Sequence, residues 1–234
     1  MKHIVSIDDL NKEEIFNLFK SAKRIQWAPW LVRNYLKHKI LANLFYEPST
    51  RTSSSFAAAM YNLGGNVISI NDVNYSSVAK GENLEDTIIT MACYADIIVL
   101  RTKNIGDARR AAELNQCPII NAGDGSGEHP TQTLLDLYTI YLEKKTIEGL
   151  NITFAGDIRN SRTIHSLSKV LEKYNNTCNY CETYEDMIPY IKESDVLYMT
   201  RVQRERGSTG NYELTKDHVL HLNKNCIVLH PFPR

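Results

Sequence analysis

The chain has 234 residues, 43% of them hydrophobic, and Lys+Arg and Asp+Glu both total 27. That length accommodates one large domain or two modest ones, and the charge balance with no long like-charged run argues against a nucleic-acid arm or an acidic tail. The N-terminus lacks a leader pattern and nowhere do eighteen apolar residues run together, so the expectation is a soluble, cytoplasmic protein with no membrane or nucleic-acid partner.

Asn11 followed by Glu14 has the form of a capping box, and Ile15, Leu18, Phe19, Ala22 and Ile25 then recur at helical spacing, which predicts an opening amphipathic helix. Short apolar runs follow at 40–45, 67–70, 97–100, 118–120, 152–155, 196–199 and 226–229. Between them lie helical patterns at 56–63, 84–93, 108–114, 131–142 and 164–171. Strands alternating with helices predict an α/β fold of two domains, each a parallel sheet flanked by helices. The polar stretch 143–148 suggests a boundary, giving domains 1–142 and 143–234, and neither half shows an internal repeat.

Five cysteines, an odd number, suit a reducing compartment better than a disulfide framework. Cys178 and Cys181 form a lone C-x-x-C with no second pair, which is weak support for a metal or redox site; no metal or cofactor is expected.

Ligands of open parallel sheets bind beyond the carboxyl ends of the strands. After the run at 40–45 comes Glu47-Pro48-Ser49-Thr50-Arg51-Thr52-Ser53-Ser54-Ser55-Phe56, leading into a helical pattern. Hydroxyls, a guanidinium and backbone N–H groups at a helix start suit an anion, phosphate above all, although a Ser/Thr run alone would be an ordinary cap.

Pro48-Ser49-Thr50-Arg51-Thr52 is similar to the carbamoyl-phosphate signature of the aspartate and ornithine carbamoyltransferases. The likeness continues through Ser76-Ser77-Val78-Ala79-Lys80-Gly81-Glu82, Arg101, Asn121-Ala122-Gly123-Asp124-Gly125 and His129-Pro130-Thr131-Gln132. Later, Ser161-Arg162-Thr163-Ile164-His165, Thr200-Arg201-Val202-Gln203 and His230-Pro231-Phe232-Pro233-Arg234 resemble the aspartate branch. The resemblance implies that Ser49, Thr50, Arg51 and Thr52 hold phosphate, with Ser76 and Lys80 reaching in from a neighbouring subunit of a homotrimer. It implies that Thr52, Arg101 and His129 are catalytic, facing the carbonyl oxygen, and that Gln132 meets the carbamoyl NH₂. Lys80, Arg162, Arg201 and Gln203, with backbone carbonyls at Pro231 and Phe232, would hold L-aspartate.

The implied reaction is carbamoyl transfer from carbamoyl phosphate to L-aspartate in pyrimidine synthesis, without a cofactor, and a regulatory chain or fusion partners could accompany it. Thr102-Lys103 stand where the family commonly has His-Pro, and Ser161 where a glycine is usual. The stretch 174–186 is shorter than the family's, and relatives continue past the position of Arg234, so weak turnover or a non-catalytic relative is the alternative expectation. Transfer to ornithine is disfavoured by Arg162, Arg201 and Gln203, and dinucleotide binding by the glycine spacing at 123–127.

Overall fold

The computed structural model describes residues 1–71, 81–201, 207 and 213–231. By its contacts the chain divides into two compact units, Met1–Thr131 and Gln132–Arg234. The division falls at the start of the helix whose far end the sequence suggested as the boundary.

In the first unit, α1 (Lys12–Trp27) starts at the capping box read from the sequence, with Asn11 accepting from the Glu14 N–H and Glu14 reaching back. Four strands follow: β1 (Ile40–Phe45), β2 (Asn66–Ile70), β3 (Ile97–Thr102) and β4 (Ile119–Asp124). They are separated by α2 (Thr50–Asn62), α3 (Leu84–Ala92) and α4 (Asp107–Glu113). All pairings are parallel, in the order β2-β1-β3-β4. Alternation along β1 feeds two cores. Ala42 and Leu44 pack with Ile88 and Met91 of α3 and Ala108 and Ala111 of α4, while Leu41 and Phe45 pack with Met60 of α2. Burial on both faces explains why these strands read as continuous apolar runs rather than as alternating ones.

The second unit contains α5 (Pro130–Lys144, from Gln132 onward), β5 (Asn151–Ala155), α6 (Arg162–Lys173), β6 (Thr177–Cys181), α7 (Tyr184–Ile191), β7 (Val196–Met199), α8 (Lys216–His221) and β8 (Ile227–Leu229). Its sheet is parallel in the order β6-β5-β7-β8. The two sheets therefore repeat one winding scheme, a repetition that residue identities do not reveal. Rings line one face of the second sheet: Phe154 stacks on Tyr180 at 5.4 Å and meets Tyr198 edge-on at 5.7 Å.

Edge strand β6 was not foreseen, because Thr177-Cys178-Asn179-Tyr180-Cys181 lacks an apolar run. The strand also disposes of the C-x-x-C. Residues three apart on a strand point to opposite faces, and burial pushes the Cys178 thiol up to about 12 and the Cys181 thiol up to about 11. Such thiols are inert at neutral pH. No helix among the described residues is long and apolar enough to cross a membrane.

Candidate active site

In the first sheet the chain reverses its direction of winding between β1 and β3, and the loops at their carboxyl ends carry the unusual residues. Phe45 pairs with Arg101, and the Tyr46 N–H donates to the Arg101 carbonyl at 2.8 Å. Ser49 is the N-cap of α2, yet its hydroxyl makes no capping bond. It accepts instead from Arg101 Nη1 at 3.4 Å. Diverting this hydroxyl leaves the first turn of α2 without a side-chain cap, so its N–H groups and the positive end of the helix dipole face the loop. Thr50 and Arg51 are exposed in that turn and Thr52 is half-buried.

Arg101 also pairs with Glu47 at 3.4 Å, both side chains being largely shielded from solvent. Opposite Arg101 the ladder slips: Leu100 pairs with Asn121 but Thr102 with Asp124, so β4 carries one extra residue. Gly123, at φ 119°, sits in this bulge. Asp124 then ties the following turn together, accepting from the Glu128 N–H at 2.7 Å and the Gly106 N–H at 3.1 Å. The turn delivers buried His129, whose Nδ1 lies 3.3 Å from the Thr131 hydroxyl.

Beneath α2, Asn43 lies wholly buried in the middle of β1. Its amide donates to the Ser53 carbonyl at 3.0 Å and hydroxyl at 3.1 Å, and Ser53 donates to Asn71 at 2.9 Å. These bonds moor the start of α2 to the middle of β1 and to the residue that follows β2. Asn43 was missed by the sequence reading, although a polar residue inside an apolar strand is a signal that could have found it.

The second unit gathers its candidates at the equivalent edge of its own sheet. Arg162 opens α6 after β5, Arg201 follows β7 by two residues, and Pro231 follows β8 by two. β5 and β7 are neighbours, and the Thr200 N–H donates to the Ala155 carbonyl at 2.9 Å. Gly156, at φ 120°, allows the close approach, for a Cβ there would stand 2.6 Å from the Thr200 carbonyl oxygen. Ser161 caps α6 in the ordinary way, accepting from the Ile164 N–H at 3.4 Å.

Gln132, in the first turn of α5, donates its amide Nε2 to Asp136 Oδ1 at 3.0 Å, and the Tyr198 hydroxyl donates to Asp136 Oδ2 at 2.8 Å. Burial raises the Asp136 carboxyl to about 7, partly offset by these two bonds. Tyr198, fully buried beside that carboxylate, is held well above its ordinary value by its burial and by the neighbouring Asp136 charge. Sequence reading singled out Gln132 but not Asp136, which lies one helical turn on.

The structure thus brings Ser49 and Arg101 into contact, sets Thr50, Arg51 and Thr52 in one helical turn, and puts Arg162 and Arg201 after adjacent strands. Ser76, Lys80, Gln203 and Phe232 lie outside the described residues. Among the described residues no cluster of His, Cys, Asp and Glu is arranged to hold a metal.

Residues 2–142 match the model of the aspartate/ornithine carbamoyltransferase carbamoyl-phosphate-binding domain. The aspartate carbamoyltransferase catalytic subunit of Methanocaldococcus jannaschii is 44% identical over an alignment of 267 positions, covering 100% of this chain and 87% of that protein. The corresponding subunit of Thermoplasma acidophilum is 45% identical, covering 98% of this chain and 84% of that protein. The chain is therefore shortened relative to these proteins. Among solved structures, Trypanosoma cruzi aspartate transcarbamoylase in complex with carbamoyl phosphate superposes with a TM-score of 0.90 at 33% identity, covering 100% of this chain and 85% of that one. With the site motifs, the strand order and these similarities in agreement, the chain belongs to the aspartate/ornithine carbamoyltransferase family.

Proposed function

We propose that this protein is an aspartate carbamoyltransferase, which transfers the carbamoyl group of carbamoyl phosphate to L-aspartate and yields N-carbamoyl-L-aspartate and phosphate for pyrimidine synthesis. The observation that carries the reading is the α2 start, left without a side-chain cap while its N-cap hydroxyl contacts Arg101. Ser49, Thr50, Arg51 and Thr52 bind the phosphate there. The relatives support the choice of substrates, since T. cruzi aspartate transcarbamoylase has been solved with carbamoyl phosphate and aspartate bound.

The neutral amine of aspartate attacks the carbamoyl carbon, and the C=O electron pair moves onto oxygen. Thr52, Arg101 and His129 donate to that oxyanion, and the C–O bond to phosphate then breaks, with phosphate taking the bonding pair. The amine's proton passes to the departing phosphate or to solvent. Gln132 accepts from the carbamoyl NH₂. Arg162 and Arg201, whose planar forks suit carboxylates, bind aspartate with Gln203 and Lys80, and carbonyls at Pro231 and Phe232 receive the amine hydrogens. Ser76 and Lys80 serve a neighbouring subunit's phosphate site in a homotrimer. Five free cysteines fit a reducing, cytoplasmic setting.

Incubating the purified protein with carbamoyl phosphate and equal aspartate and ornithine tests this directly: carbamoyl aspartate is the expected product. Carbamoyl ornithine would overturn the substrate assignment, and tight carbamoyl phosphate binding with no product would favour a non-catalytic relative. The shared site has its own test. Mixing inactive Lys80→Ala and Arg51→Ala chains restores activity through hybrid sites, and a mixture that stays inactive despite subunit exchange contradicts the trimer.

A further inference from the structure

The amide of Gln132 has two unlike ends, and only one of them can accept a hydrogen bond from a carbamoyl NH₂. An ionised carboxylate is acceptor-only. Above its raised value of about 7 Asp136 is ionised, and its Oδ1 then takes the NH₂ end of Gln132, at 3.0 Å, which turns the amide oxygen outward as the end that can face a donor. Asp136 is itself held in place: its other oxygen accepts from Tyr198, which is wholly buried. A line of hydrogen bonds thus runs from Gln132 through Asp136 to Tyr198.

We propose that Asp136 is a positioning residue which fixes the Gln132 amide with its oxygen outward, so that the site selects an acyl phosphate bearing an NH₂ group. This rests on the assignment of Gln132 to the carbamoyl amine made above. Replacing Asp136 by Asn inverts the arrangement. The new NH₂ donates to the Gln132 oxygen, and the Gln132 NH₂ is turned toward the ligand, donor against donor.

The test compares binding of carbamoyl phosphate and acetyl phosphate, whose methyl group replaces the NH₂, to the full-length protein in alkaline buffer. Asp136→Asn weakens carbamoyl phosphate about tenfold, as expected for one hydrogen bond lost and one donor opposed, while acetyl phosphate affinity stays within about twofold. In a Gln132→Met background the same change has no further effect on the ratio of the two affinities. Equal losses for both ligands, or none, overturn the proposal. Wild-type protein that binds neither ligand would instead defeat the carbamoyl-phosphate assignment. A measurement without substitution covers a variant that does not fold. One Gln132 side-chain amide proton in the wild type is expected to be shifted downfield and protected from exchange by Asp136; two freely exchanging protons contradict the arrangement.

Discussion

The helix starts after β1 and after β5 occupy the same place in two sheets of the same strand order, but their N-cap serines behave differently. Ser161 caps α6, whereas Ser49 abandons α2 and reaches Arg101. A phosphate carries several acceptor oxygens and is well matched by backbone N–H groups at an open helix start. The α-amino acid proposed for the second unit presents carboxylates, which guanidinium forks can clamp without a free helix end. Under the proposed function one winding scheme serves two recognition chemistries, and the two helix starts differ in where one hydroxyl points.

Four substitutions sharpen that contrast. The largest effect is expected at Arg101, which joins the strand end to the diverted serine: Arg101→Ala lowers kcat by about 10²–10³ through loss of an oxyanion donor. Steady-state kinetics with an unfolding control measure it, and a loss under about tenfold would remove Arg101 from the chemistry.

The next effect concerns pH. Asp136 sits at about 7 in the folded chain against an ordinary 3.8. Its folded value is raised, so the native state binds the proton more tightly, and the associated stability is present below about pH 4 and lost as pH rises through about 7. Thermal melts from acid to alkaline pH should show this as a decline on the order of a few kcal/mol in the wild type, flattened in Asp136→Asn. Parallel curves for the two proteins would contradict it.

The smallest effects form a crossed pair. Ser161→Ala removes a working cap and lowers stability by about 1 kcal/mol, with little change in phosphate affinity. Ser49→Ala loses no capping bond, so its melting temperature holds while carbamoyl phosphate binds more weakly, by about 0.5–1.5 kcal/mol. Equal stability losses at both serines would erase the distinction between the helix starts.

Much of this arrangement was legible in the residues. Seven apolar runs became strands, with β1 at Ile40–Phe45 and β7 at Val196–Met199 matching the expected bounds, because burial on both faces imposes continuous hydrophobicity. β6 was hidden by its polar composition as an edge strand. α7 was hidden too, as a short helix with Pro189 inside it. Motifs singled out Ser49, Arg101 and Gln132, and one motif contained Asp124, but none gave the contacts that brace the surrounding loops. Asn43, Asp124 and Asp136 act through contacts with residues 10, 4 and 4 positions away, and in Asp124's case also through Gly106, 18 positions away. The bulge in β4 opposite Arg101 depends on strand pairing, which no single segment encodes.

Calorimetric titration of carbamoyl phosphate into the wild type and into Arg51→Ala tests the α2 start most directly. Arg51 lies exposed in the first helical turn, away from either core, so its truncation should leave the fold intact. Saturable binding by the wild type and none detectable in the variant at matched concentrations is the expected outcome; equal affinities would show that the anion binds elsewhere.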